Sequence, residues 1–272
     1  GYVNKTVVGA PIACFYGWKT AGIMTEADFK EDGSPRVPVF SSGSTYTPGD
    51  MKFVDVNGDG VIDDRDRTFI GNPNPDFYYG FNINMEYKGF DLSMFFQGVA
   101  GNEIYDVTRY FRYSNVAYNG GWENLNYLSY SNVSKDYFDK VWRPVPDPAN
   151  PAYRDHWGAN LGGTVPLPSS DGTKNEMNFR NSDFYVQDGS YLRLKNIQLG
   201  YTFPKKWVNK LSVNNLRVYA SATNLFTVTS YDGLDPEVGK TAGQESNNLY
   251  LGIDQGVYPQ ARSYMFGVII DF

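Results

Sequence analysis

Between Tyr191 and Phe226 the chain alternates in character. Ile197, Leu199, Tyr201 and Phe203 are apolar with Gln198, Gly200 and Thr202 between them. After a break over Pro204 to Asn215 the pattern returns as Leu216, Val218, Ala220 and Ala222 against Arg217, Tyr219, Ser221 and Thr223. A period of two belongs to a strand with two unlike faces. The same period runs through Phe77, Tyr79, Phe81, Ile83, Met85 and Tyr87. It resumes after Lys88-Gly89 as Phe90, Leu92, Met94 and Phe96, which predicts a hairpin over 77–98. A last set, Tyr264, Phe266, Val268, Ile270 and Phe272, closes the chain. Soluble strands are most often about 5 to 6 residues long, whereas a tilted strand of about 9 to 11 crosses a bilayer. The predicted fold is therefore all-β: about five antiparallel strands that belong to a transmembrane barrel and carry long loops.

The intervening segments lack this period. Residues 1–76 carry the breakers Pro11, Pro35, Pro38 and Pro48, and residues 1–50 read as an irregular, partly exposed stretch, with Asp28 to Asp32 a solvated charge cluster. Residues 99–190 span about 90 residues without sustained alternation, far beyond an ordinary connection, so the segment is expected to be functional. It is rich in aromatics, among them Tyr105, Tyr110, Phe111, Tyr113, Trp122, Tyr127, Tyr137, Trp142 and Trp157. Packing of these rings within the loop is favoured over stacking on sugars. A short helix is expected from Ser134 as N-cap through Trp142, ended by the proline group Pro144, Pro146, Pro148 and Pro151. Residues 227–262 form another long loop between the second and third of the last three strands, which lie within 191–272.

Composition changes the picture in three ways. Twenty-two Tyr, 18 Phe and 5 Trp make 17% of the chain aromatic, as the interfacial girdles of a membrane barrel require. The net charge of -6 and a pI near 4.9 exclude a phosphate-driven nucleic-acid partner. A single cysteine, Cys14, and a single histidine, His156, exclude an intrachain disulfide and a multi-His or Cys-rich zinc site. No apolar run is long enough for a transmembrane helix, and the mean hydropathy of -0.45 would read as soluble, but wet lumen positions and loops dilute that average in a barrel. The chain opens at Gly1 without a start methionine or signal peptide, as expected of a mature or truncated product.

The most chemically specific stretch is Asp55 to Asp66, DVNGDGVIDDRD. It puts side-chain oxygens at the first, third and fifth loop positions (Asp55, Asn57, Asp59), glycine at the sixth (Gly60) and a backbone carbonyl at the seventh (Val61). Asp63 and Asp66 follow at the ninth and twelfth. A hard cation such as Ca²⁺ takes about six to eight oxygens, and alternate side chains around a sharp glycine turn supply them. Asp66 replaces the usual glutamate and reaches less far. A metal-free Asx-rich turn is the competing reading. A structural Ca²⁺ held by Asp55, Asn57, Asp59, Val61, Asp63 and Asp66 is the expectation.

Counting back from a periplasmic C-terminus, 263–272 runs inward, 216–226 outward, 191–203 inward, 90–98 outward and 77–88 inward. Short turns then fall inside, and 99–190 and 227–262 fall outside, the asymmetry of outer-membrane barrels.

Several runs resemble a known family. PGDMKFVDVNGDGVIDDRDRTFIGNPNPDFYYGFNINMEYKGFDLSMFFQG, VWRPVPDPANP, YLRLKNIQLGYTFP, NLRVYASATNLFTVTSYDGLDPEV and the terminal MFGVIIDF look like the C-terminal part of SusC/RagA-type TonB-linked outer-membrane transporters of Bacteroidetes. VGAPIACFYGWKTAGI is similar to the stretch before the calcium-like loop. The resemblance implies a large transmembrane antiparallel barrel of about 22 strands around a plug, with the strands here as its C-terminal ones, import of glycans or peptides energised by TonB, and a SusD-like surface lipoprotein as lid. Neither plug nor TonB box is visible, and five strands cannot close a barrel in lipid. The chain is thus expected to sit with the remainder of its barrel and plug, in outer-membrane lipid. A secreted all-β glycan-binding module is the alternative. A glycoside hydrolase finds no carboxylate pair that stands out, so no catalytic residue is assigned.

Overall fold

The computed structural model describes residues 3–41, 45–113, 135–145, 158–167, 172–209, 213–239 and 249–272. The chain divides into two compact units: a wall unit of residues 73–104, 187–239 and 256–272, and a second unit of residues 1–72, 105–186 and 240–255.

The wall is built from β1 (Phe77–Tyr87), β2 (Phe90–Ala100), β3 (Tyr191–Thr202), β4 (Asn215–Thr223) and β5 (Ser263–Asp271). They lie side by side in the order β5-β4-β3-β2-β1, every neighbouring pair antiparallel. Each strand pairs with its predecessor in sequence, so the sheet is a meander although about 90 residues separate β2 from β3, more than a simple connection carries. The β1–β2 turn holds Lys88 at φ 47° and Gly89 at φ 90°. Two consecutive positive φ angles match the right-handed twist of the hairpin, and glycine carries the second without a Cβ penalty.

Two boundaries differ from the sequence reading by more than one residue. β2 runs on to Ala100, and β4 stops at Thr223 rather than Phe226. Asn224 turns into the left-handed region at φ 51°, donating its N–H to the Lys195 carbonyl, where β3 shifts register between Leu194 and Asn196. The chain then rejoins β3, pairing Thr227–Thr229 with Tyr191–Arg193. An extra residue on one strand bends the ladder, which period-two counting cannot register.

The second unit replaces the irregular stretch expected for residues 1–50 with short strands. Asn4–Lys5, Cys14–Gly17 and Thr68–Gly71 form one antiparallel sheet, and Thr20–Ile23 pairs with Met51–Phe53. Strands of two to four residues are too short to show a period. Helices Val107–Tyr113, Lys135–Lys140 and Gly172–Asn178 also belong to this unit. Three apolar clusters hold it: one around Trp18, Phe40, Met51, Phe53, Ile62 and Trp142, one around Phe15, Tyr105, Tyr185 and Ile253, and one around Tyr113, Tyr137, Val141, Val165 and Phe179. Tyr105, Tyr113, Tyr137 and Trp142 are buried, which favours packing over sugar stacking for these rings. Trp122, Tyr127, Trp157, the expected cap Ser134 and the prolines from Pro146 to Pro151 lie outside the described residues, and of the Phe111 ring nothing is described. Among the described residues no helix is long and apolar enough to cross a membrane, which leaves strands free to do so.

Candidate functional site

Register decides what the wall presents. Directly paired residues of antiparallel strands share a face, and the pairing links Met85 to Leu92, Leu92 to Leu199, Leu199 to Ala220 and Ala220 to Phe266. The parallel row runs Tyr87, Phe90, Tyr201, Val218 and Val268. The five alternating apolar sets therefore fall on one face of one sheet. That face is uncovered: Phe266 is 83% exposed, Val268 61% and Met85 52%. Rings cluster within it, Phe81 stacking on Phe96 at 4.7 Å and Phe90 lying 4.5 Å from Tyr201. An open apolar surface of this extent would be unstable in water and is what a lipid-facing wall requires.

The opposite face carries Asn82, Asn84, Glu86, Asp91, Ser93, Gln97, Asn196, Gln198, Thr202, Arg217, Ser221 and Thr223. Arg217 reaches across β3 to Asp91, with Nη2 2.5 Å from Oδ2 and Nε 3.1 Å from Oδ1. The bridge passes over Gly200, where a Cβ would sit 2.4 Å from the Asp91 carboxylate and 2.5 Å from the guanidinium. Glycine at this point is what lets two charges two strands apart meet. Tyr219 likewise lays its ring over Gly267.

At the other end of β3 lies an ion cluster the periodicity did not reveal. Arg193 is 3% exposed and donates from Nη2 to Asp235 (2.6 Å), from Nη1 to Glu237 (2.7 Å) and from Nε to the Thr227 hydroxyl (2.7 Å). Lys195 adds a 2.7 Å contact to Glu237. Asp235 also accepts the N–H groups of Glu237 and Gln260. Burial pushes the Asp235 carboxyl up, but the Arg193 hydrogen bond and the two backbone N–H groups outweigh it and hold the group below the usual carboxylate range. The cluster fastens residues 227–239 onto the strand. The signal in the sequence was an arginine and a lysine two apart on a strand, facing Asp-Pro-Glu in a loop.

The acidic loop lies in the second unit. Asp55 accepts the N–H groups of Gly58 (2.7 Å) and Gly60 (2.8 Å), and these backbone bonds, Gly60 foremost, hold its carboxyl below the usual range. Asn57 Oδ1 accepts from Asp59 N–H, and Asp59 Oδ1 accepts from Val61 N–H. Asp63 caps the short 3₁₀ turn Asp64–Asp66, accepting Arg65 N–H, and the Arg65 guanidinium bridges Asp63 and Asp59 at 2.7 Å each. Asp66 is fully buried and accepts from Val56, Asn57 and Asp63 N–H groups. Asp55 and Asp66, the two ends of the loop, come within interaction range of each other. Among the described residues no three acidic, histidine or cysteine side chains converge into a cage. The donor types are those Ca²⁺ takes, whereas Arg65 occupies the carboxylates of Asp59 and Asp63.

No family model matches the chain. Individual proteins do. It is 33% identical over 265 residues, 97% of its length, to TonB-dependent receptor P3 of Formosa agariphila, covering 22% of that protein. It is 30% identical over 227 residues, 83% of its length, to TonB-dependent receptor SusC of Bacteroides thetaiotaomicron, covering 18% of it. Its fold matches the RagAB peptide importer in the open-open state with a TM-score of 0.55 at 20% identity, over 100% of this chain and 24% of that one. The chain thus spans about a quarter or less of the proteins it matches. The sequence likeness over nearly the whole chain and the shared fold together give one conclusion: this chain corresponds to a segment of the SusC/RagA-type TonB-dependent receptors, and its sheet is a portion of their barrel wall.

Proposed function

We propose that the chain is the C-terminal portion of an outer-membrane importer that takes up glycan or peptide oligomers, driven by TonB through a part of the receptor beyond this chain. In this reading it works with a SusD-like surface lipoprotein. β1 to β5 stand in lipid on their apolar side and face the lumen on the side of Arg217 and Asp91. The hairpin turn at Lys88-Gly89 and the C-terminus lie in the periplasm, and the segments 99–190 and 227–262 lie outside, toward lipoprotein and substrate.

The observation that carries this is the merging of five apolar alternations into one uncovered face. A secreted glycan-binding module would need a second sheet over that face, and Phe266 and Val268 stand open instead. The likeness to TonB-dependent receptors and to a peptide importer supports transport rather than catalysis. The test is to place the whole receptor in its native outer membrane, follow its heat-modifiable band, and measure uptake of glycan and peptide oligomers. A receptor recovered in the aqueous fraction without detergent, or uptake unchanged when it is deleted, would overturn the reading.

The 55–66 loop is proposed to take a structural Ca²⁺ through Asp55, Asn57, Asp59, the Val61 carbonyl, Asp63 and Asp66. Support comes from the spacing of the oxygen ligands and from the approach of Asp55 to Asp66, the two ends of the loop. Binding requires Arg65 to leave Asp59 and Asp63. Metal analysis of the purified receptor before and after chelation tests this: no bound cation and an unchanged melting temperature would refute it.

A further inference from the structure

We infer that Arg67 and Arg180 form an oxyanion-binding site around the indole of Trp18, suited to a carboxylate-bearing ligand. Both guanidiniums lie against the same ring, Arg67 at 5.0 Å and Arg180 at 5.3 Å from its centroid. Each also meets a second ring, Arg67 at 5.1 Å from Tyr16 and Arg180 at 4.1 Å from Phe40. Trp18 is held in place by its own Nε1–H, which donates to the Asp63 carbonyl at 2.9 Å, and by edge-on packing against Phe40.

What sets these two arginines apart is what they lack. Among the described residues Arg180 makes no hydrogen bond and no ion pair, and Arg67 has only Asp64 at a loose 4.0 Å, a carboxylate whose side chain is 85% exposed. The Nε atoms of both are buried without a partner. Stacking satisfies the face of a guanidinium but none of its five in-plane N–H donors. Other partly or fully buried arginines of the chain are differently placed: Arg193 has Asp235 and Glu237, Arg112 has Asp106, and Arg217 has Asp91. In a chain with 30 acidic residues against 24 basic ones, carboxylates are not in short supply. A guanidinium held by rings, with Nη donors that no described carboxylate approaches closer than 4.0 Å, presents the part of the fork that a carboxylate can reach, and two of them against one ring add their positive potentials there. Residues 16, 18, 40, 67 and 180 all belong to the second unit, so the site needs nothing from the wall.

This inference rests on that local geometry and not on the importer reading, and its readout is binding rather than uptake. The purified whole receptor is titrated with sodium malonate and with sodium sulfate against sodium chloride at matched ionic strength, following the melting temperature. Malonate should stabilise the receptor beyond the chloride control, with a weaker rise for sulfate, and the malonate rise should vanish in Arg67→Gln with Arg180→Gln. Arg180→Lys, which keeps the charge but not the fork, should weaken malonate binding at least about tenfold. Retention of the heat-modifiable band shows that each variant is assembled. Equal curves for malonate and chloride in the unaltered receptor would overturn the inference, since carboxylates from elsewhere in the receptor would then already hold both arginines. A malonate effect that survives the double substitution would overturn it as well.

Discussion

The wall unit and the second unit are built from the same aromatic-rich composition, yet they bury it in opposite ways. In the second unit Phe15, Tyr113 and Tyr185 are 0%, 1% and 1% exposed, interlocked with rings from distant parts of the chain. In the wall Phe266, Tyr264 and Phe77 are 83%, 63% and 57% exposed, lined up by register on one face. The second unit carries its solvent inside itself, as a water-soluble core does. The wall uses the bilayer as solvent, so its apolar residues need only the right side, not a partner. The difference teaches that exposure of large apolar side chains means instability in one unit and correct assembly in the other.

The sharpest way to break this comparison is to truncate one ring in each unit. Phe15→Ala should cost about 3–5 kcal/mol, because a buried ring packed on Tyr105 leaves a cavity behind. Phe266→Ala should cost far less in outer membranes, where lipid fills the space. Protease resistance of the two variants in membranes checks this, and equal sensitivity would mean that the wall face is covered by protein.

A comparable loss is expected at the ion cluster on β3. Arg193→Ala leaves Asp235 buried without its cation, costing about 3–5 kcal/mol. Hydrogen exchange should rise in residues 227–239 before it rises elsewhere in the wall.

Next in size is charge placed on the lipid side. Val218→Arg should cost about 2–4 kcal/mol near the bilayer midplane and reduce the heat-modifiable band, while Ser221→Arg on the other face should assemble nearly as well as the unaltered receptor. Ser221 is the better comparator than its neighbour Tyr219, whose ring covers Gly267. The reverse order would place lipid on the Arg217 side.

The smallest effect concerns pH. Asp235 has a folded pKa below its ordinary value, so the stability it lends is present at neutral pH and is lost as pH falls through that lowered pKa. Hydrogen exchange of residues 227–239 should therefore stay flat from neutral pH down to the ordinary carboxylate range once corrected for intrinsic rates, and then accelerate. Loosening that begins near neutral pH would show that another group controls the loop.

How much of this could be read beforehand differs between the two units for one reason. The wall strands and their faces were legible, because a strand in lipid must present an apolar residue at every second position on its own, whatever its neighbours do. Leu216 to Ala222 kept that rule even with two alanines. The register shift at Lys195, the early end of β4 at Asn224 and the bridge of Arg217 over Gly200 were not legible, since each depends on which residues face each other across strands. The acidic loop announced its turn chemistry, but the capture of Asp59 and Asp63 by Arg65 and the complete burial of Asp66 came only with the fold.

By itself, then, the sequence determined the all-β class, the five strands and the apolar face, because local period and length carry that information. Only the tertiary structure decided that residues 1–72, 105–186 and 240–255 condense into one unit with Arg67 and Arg180 both against the Trp18 ring. Its contacts join residues far apart in sequence, such as Trp18 with Ser182 and Asn4 with Leu251, through strands too short to leave a period. Packing of that kind is specified by shape complementarity among distant side chains, which no local pattern encodes.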